Sequence, residues 1–257
     1  MKIDQVAVQL YTLRNHLKTP ADMAKTLKRV RELGYRSVQV SGVGEIDPAE
    51  FARMCAGEGL SVCATHESGQ MILETPEKVV EKLTALGTKI TAYPYPAGID
   101  FGSEEAVAGL IQGLVKSGQV LKDAGMTLCY HNHAHEFRKL GGKVILDRIY
   151  EETPAEILGA ELDTYWVQMG GADVVEYINK VAGRQPIIHL KDCGVNAENK
   201  TGFCEIGQGN LPWKRIIAAA EAGGTEWFAV EQDTCPGDEF ESLAISFEYI
   251  STHLIEV

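Results

Sequence analysis

Three histidines crowd into five residues of the segment Tyr130-His131-Asn132-His133-Ala134-His135-Glu136-Phe137. Further along, three more apolar runs end on ionisable groups: Leu162-Asp163-Thr164-Tyr165-Trp166, Ile188-His189-Leu190-Lys191-Asp192 and Val230-Glu231-Gln232-Asp233. A carboxylate or imidazole at the end of such a run needs a partner, because burying one alone costs several kcal/mol. Taken singly, each is most simply a cap or a locally hydrogen-bonded residue. Brought together, two imidazoles and two carboxylates are satisfied by one divalent cation, and residue type leaves manganese, zinc, cobalt, iron or magnesium open. Whether they meet depends on the elements that carry them.

Eight short β-rich runs recur, at 5–10, 35–40, 60–65, 88–93, 126–131, 156–162, 186–191 and 226–232, following glycine or polar turns such as ELGY, GEGL, ALGT and DAGM. Segments of helical period lie between them. Thr19 caps one, with Pro20 in its first turn, an apolar stripe of Met23, Leu27, Val30 and Leu33, and Gly34 as its left-handed stop. Ser103 caps another, whose Val107, Leu110, Ile111, Leu114 and Leu121 share a face, and a last helix aligns Phe240, Leu243, Phe247, Ile250 and Leu254. Shorter periodic segments occupy 47–57, 76–86, 143–151, 172–182 and 211–222. A strand-helix unit of about 30 residues, repeated eight times without a Pro/Gly/Ser linker, predicts one α/β domain over 1–257, a single (β/α)8 TIM barrel. The competing open doubly wound sheet lacks its fingerprint, since no GxGxxG follows the first strand.

In such a barrel the C-terminal strand ends face one pocket. Strands five to eight then each deliver a potential ligand to it, from the histidine-rich end of strand five and from the ends at Asp163, His189 and Glu231. Substrate contacts are expected from Tyr11 and Arg14 after strand one, Gln39 on strand two, His66 on strand three, Tyr93 and Tyr95 after strand four, and from His133 and Trp166.

Composition narrows the partners. With 36 acidic and 24 basic side chains the net charge is −12, and the cluster Lys25, Lys28, Arg29, Arg31 is spaced like the solvent side of a helix, so no nucleic-acid surface is expected. Hydrophobic residues are 45% and charged residues 23% of the chain, an ordinary globular balance. No run approaches the roughly 18 apolar residues of a membrane span. The start MKIDQVAVQLYTLR shows no signal peptide, and six scattered cysteines without a CxxC pair read as reduced thiols, so a cytoplasmic protein is expected. A homo-oligomer is compatible with all of this.

The strings YHNHAHEF, LDTYW, HLKD and EQD, spread over nearly the whole chain, resemble the xylose-isomerase-like barrels, which include sugar isomerases, epimerases, inosose dehydratases and apurinic endonucleases. The resemblance implies a divalent metal at strands five to eight, held here by His131, Asp163, His189 and Glu231. One departure matters: many members carry a glutamate where this chain has His131. Those members use two metal-bound glutamates on opposite faces of the sugar as acid and base, and Glu136, five residues on, would have to swing in to restore the pair. His66 resembles the family's substrate-facing histidine. Trp166 stands where some relatives have a second histidine in LDTxH, and is expected to wall a sugar face or equally to pack with Tyr165. The endonuclease branch conflicts with the charge of −12.

The implied chemistry is proton transfer next to a carbonyl, with the enediolate-like charge stabilised by the metal. Glu231 is the expected base. Its opposite-face partner is open among His131, His133, Glu136 and Lys191; a metal-bound His131 stays neutral, which favours Lys191 or Glu136. The loop after strand seven, with Gly202, Gly207 and Gly209, contains GQGN, a weak phosphate-cradle pattern that reads equally as a turn or lid. Without a basic cluster beside it, an unphosphorylated or keto sugar is expected. The function these readings point to is a metal-dependent sugar isomerase or epimerase. The alternatives are a dehydratase or related lyase on a keto-polyol such as an inosose, and a noncatalytic sugar-binding barrel.

Overall fold

The computed structural model describes residues 1–255. Eight parallel strands close into a barrel: β1 (Val6–Gln9), β2 (Ser37–Val40), β3 (Ser61–His66), β4 (Ile90–Tyr93), β5 (Thr127–His131), β6 (Leu158–Asp163), β7 (Ile187–Leu190) and β8 (Trp227–Val230). Each pairs with its neighbours in sequence, and β8 closes on β1 with Phe228, Ala229 and Val230 opposite Val6, Ala7 and Val8. The strands are short and mostly apolar because both faces are covered; β1, β2, β4, β6 and β7 are buried along their whole length, including the polar Gln9, Gln39, Glu161 and Asp163.

The covering helices are α1 (Pro20–Glu32), α2 (Pro48–Gly57), α3 (Pro76–Leu86), α4 (Glu104–Asp123), α5 (Ile145–Glu151), α6 (Val174–Lys180), α7 (Trp213–Ala222) and α8 (Glu239–His253). Their starts follow the chemistry of exposed amides: Thr19, Asp47 and Ser103 each accept from a first-turn N–H, and Pro20, Pro48 and Pro76 open three of them. Gly34 ends the first strand-to-helix return at φ +109°, and a Cβ there would collide with the Phe247 ring of α8.

Two apolar regions result. The larger packs helices onto the outside of the barrel. The smaller fills its lower interior with Ala7, Cys63, Ala92, Cys129, Ile187 and Ala229, small enough to leave the upper interior to polar groups. All six cysteines are free thiols, four of them buried. Among the described residues no helix is long and apolar enough to cross a membrane.

The segment after β7 is ordered differently from the sequence expectation of a loop. Asp192–Val195 and Thr201–Cys204 form an antiparallel hairpin, and the GQGN turn beyond it wraps the buried Asp192 carboxylate. That carboxylate accepts from Cys193 N at 2.8 Å, Gly207 N at 2.9 Å, Gly209 N at 3.1 Å, Leu211 N at 3.2 Å and Trp213 Nε1 at 2.7 Å. The amides that a phosphate would need are already bound to the chain's own anion, so of the readings the GQGN pattern leaves open the structure shows the turn. A Cβ at Gly209 would overlap Asp192, which is why glycine stands there.

Candidate functional site

Strand alternation points Glu161 and Asp163 of β6 to the same inward face, one level apart. Register sets Glu161 beside His131 and Asp163 beside His189. Glu231 follows β8 directly. His131, Asp163, His189 and Glu231 are all buried, and each offers one donor atom within 4.8 Å of the others. Lys191 reaches into the same place, its Nζ 2.9 Å from Asp163 Oδ2, 2.8 Å from Glu231 Oε2 and 3.0 Å from Asp233 Oδ1. Asp163 Oδ1 caps a short helix by accepting from Trp166 N at 3.0 Å. Its buried Oδ2 accepts no aligned hydrogen bond; the ammonium approaches it as an ion.

A hydrogen-bonded layer lies beneath. Gln9 Oε1 accepts from Tyr11 N, so its amide nitrogen faces His66 Nδ1 at 3.4 Å, leaving the His66 proton on Nε2, which donates to Glu161 Oε2 at 2.5 Å. Gln39 Nε2 donates to Glu161 Oε1 at 2.6 Å, so Gln39 Oε1 accepts from His189 Nε2 at 2.7 Å. His131 Nδ1 lies 3.2 Å from Glu161 Oε2. The outer nitrogens are therefore the ones offered upward: His131 Nε2 lies 3.8 Å and His189 Nδ1 4.0 Å from Asp163 Oδ2, and His189 Nδ1 is 2.8 Å from Glu231 Oε2. Donors bound about 2.0–2.2 Å from one ion stand roughly 3–4 Å apart. In the upper group these separations run from 2.8 to 4.0 Å and all four donors lie within 4.8 Å of one another, close to that spacing. The lower group of His66, His131, Glu161 and His189 is closed by the direct His66–Glu161 bond.

Electrostatics sharpen the roles. Burial would lower His189, but Glu161 and Glu231 outweigh it and raise it to about 10. Burial, with His189 beside it, pushes His131 well below its usual range, keeping it neutral. Lys191 is held well above its ordinary value because Asp163, Glu231 and Asp233 overcome its desolvation. Against burial, Lys191 and His189 hold the Glu231 carboxyl well below the usual carboxylate range, and His189 and His66 do the same for Glu161. Burial lifts Asp163 to about 6 and also raises Asp233. Four carboxylates thus face one ammonium and one imidazolium, an excess of two negative charges. With Asp163 Oδ2 held by an ion pair but by no aligned hydrogen bond, that imbalance fits a divalent cation among the four upper donors.

Above them opens a cavity of about 570 Å³ lined by Tyr11, Arg14, His66, Tyr95, His131, His133, Lys191, Glu231 and Asp233 among others. Three sequence expectations are corrected here. Gln39 is wholly buried below the cavity and touches His189 and Glu161, so it holds the site rather than contacting substrate. Glu136 does not swing into the centre; its carboxylate accepts from Tyr130 Oη at 3.0 Å and His133 N at 2.8 Å in a single 3-10 turn. Tyr93 is buried against Tyr130 instead of facing substrate, whereas Trp166 takes up the packing role the sequence left open, its ring 4.9 Å from Tyr165 and 5.4 Å from His133. Sequence reasoning missed Glu161 and gave Asp233 no role. Period-two alternation in Glu161-Leu162-Asp163 was the available signal for the first, and the tripeptide Glu231-Gln232-Asp233 for the second.

A family model described as xylose isomerase-like TIM barrel matches residues 27–248. An inosose dehydratase of Geobacillus thermodenitrificans strain NG80-2 is 29% identical over 162 residues, covering 57% of this chain and 52% of the relative. The chain thus spans about half the length of this curated relative. A sugar phosphate isomerase/epimerase structure from Parabacteroides distasonis ATCC 8503 superposes with a TM-score of 0.84 at 20% identity, covering 99% of this chain and 96% of that one. An L-ribulose 3-epimerase structure gives 0.74 at 17% identity, over 98% and 94%. At these identities the likeness to solved structures is one of fold.

Proposed function

Because the chain belongs to the xylose isomerase-like TIM-barrel family, we propose that it is a divalent-metal-dependent sugar isomerase or epimerase that moves a proton on a carbon next to a carbonyl. The observation that carries this reading is the convergence of His131, Asp163, His189 and Glu231 on one point beside Lys191 and Asp233. Those four donors would hold the ion, which when bound supplies Lewis-acid stabilisation of the enediolate-like charge.

The chain's own residues do the rest. Lys191 stays an ammonium, so it donates to a developing oxyanion instead of taking a proton. Glu231, anchored by His189 and Lys191 and held low, is a poor proton acceptor and serves as a ligand. Asp233 borders the cavity with a raised carboxyl, and so takes the role of base that the sequence suggests for Glu231. Tyr11, Tyr95 and His133 supply flat walls suited to a sugar or polyol. Arg14 gives two of its five N–H groups to Tyr11 O at 2.9 Å and Asp233 O at 3.0 Å and lines the cavity with the rest. The GQGN amides bound to Asp192 favour an unphosphorylated sugar or keto-polyol as the substrate class.

A dehydratase acting on a keto-polyol such as an inosose is the second reading. The names of the curated relatives favour it, and so does the Lys191–Asp233 pair, an acid beside a base. Incubation of the metal-loaded protein with candidate sugars in deuterated water decides. Deuterium uptake without loss of mass as water supports the isomerase or epimerase, and loss of water establishes the dehydratase. Ligand-induced thermal stabilisation without turnover under any metal leaves only a sugar-binding barrel.

A further inference from the structure

We propose that His133, His135 and Glu136 form a second cation site at the rim of the cavity, taking a divalent ion with affinity for imidazole, such as zinc or cobalt. After β5 the chain tightens into the 3-10 turn His135–Phe137, which gathers side chains that an extended strand would send to opposite faces. One nitrogen of each histidine and one oxygen of Glu136 lie within 4.8 Å of one another. His135 Nε2 is 3.2 Å from Glu136 Oε1.

Two observations point to a ligand. His133 Nδ1 and His135 Nε2 are both shielded from solvent and have no aligned hydrogen-bond partner. Glu136 is wholly buried, and its ion-pair partner among the described residues is His135, with no lysine or arginine beside it. Tyr130 Oη and His133 N fill its hydrogen-bonding needs but cancel no charge. A buried carboxylate without a cation is costly, and two imidazoles beside it are the donors that zinc and cobalt prefer. Tyr95 stands edge-on to both imidazoles at 5.2 and 5.3 Å, and Phe101 lies 5.3 Å from His135. These rings flank the cluster and leave His135 partly open to solvent, from which an ion can enter. Three protein donors leave coordination positions open, and His133 lines the cavity. An ion here would therefore border a bound sugar, separated from the central donors by the His131–His133 ring contact of 5.0 Å.

The site uses none of the four central donors, so its test is independent of the proposed reaction. Zinc is titrated calorimetrically into the chelator-stripped full chain, and bound zinc is counted by elemental analysis. The wild type is expected to take two equivalents and His135→Ala one. Asp163→Asn is expected to lose the other equivalent and keep this one. His135 is partly exposed, and Glu136→Gln, nearly isosteric, gives a second variant with the same expected loss; circular dichroism confirms folding of both. A single wild-type equivalent that survives His135→Ala overturns the proposal, as does a His135→Ala protein that still binds two. Loss in His135→Ala with no loss in Asp163→Asn supports this site and counts against the central one.

Discussion

Lys191 Nζ stands 2.8 Å from Glu231 Oε2 and contacts Asp163 Oδ2 as well, placing an ammonium between two of the carboxylates that face the candidate ion. The lysine is thus both the nearest proton donor and a competitor for the same charge. Lys191→Met removes the competitor without adding bulk. Divalent-metal affinity should rise at least roughly tenfold while turnover falls by about 10²–10⁴, the usual worth of a positioned acid. Metal titration beside steady-state kinetics checks this, and weaker metal binding in the variant would count against the arrangement.

Gln39 holds His189 from below, accepting from its Nε2 and donating to Glu161. Such partners of a ligand histidine typically contribute 10- to 100-fold in metal affinity. Gln39→Leu should therefore weaken metal binding by about that factor although Gln39 lies outside the cavity. Unchanged affinity in a folded variant would remove Gln39 from the site.

Glu231 and Asp233 separate by role. Glu231→Gln should lose bound metal and activity together. Asp233→Asn should retain metal and KM within a few-fold while kcat drops by about 10²–10⁴. Equal metal loss in the two variants would contradict the assignment of Asp233 as base.

Proton linkage gives a signed prediction. His189, raised to about 10 without metal, holds a proton at pH 8 that an incoming ion must displace, whereas Asp163, at about 6, is already ionised there. Binding should release about one proton per central ion at pH 8, and apparent affinity should rise roughly tenfold per pH unit from 7 to 9. The same shift acts on stability. A raised histidine stabilises the metal-free fold fully below its unfolded value of 6.5, and that contribution is lost as pH rises through about 10. Calorimetry in buffers of different ionisation enthalpy measures the release; none at pH 8 would show that His189 is already neutral.

Much of the barrel was legible because its determinants are local. Thr19 and Ser103 cap helices by their own oxygens, and strands covered on both faces are mostly apolar. The depth of a side chain within the barrel was not legible, because strand stagger sets it. Gln39 at the end of β2 read as a cavity residue, yet lies beneath His189. Glu161 read as one more residue of an apolar strand, yet its carboxylate meets His66 and Gln39, with His131 and His189 close by. Glu136 lies five residues from His131 along the chain, but the turn at His135 directs it to Tyr130. The GQGN turn could not be read for function until Asp192 was seen inside it.

Diffraction from crystals grown with manganese or cobalt, collected at the metal's absorption edge, tests the central assignment most directly. The account predicts an anomalous peak within bonding distance of His131, Asp163, His189 and Glu231. Density that instead shows Lys191 still bridging Asp163 and Glu231, with no anomalous signal among the four, would contradict it.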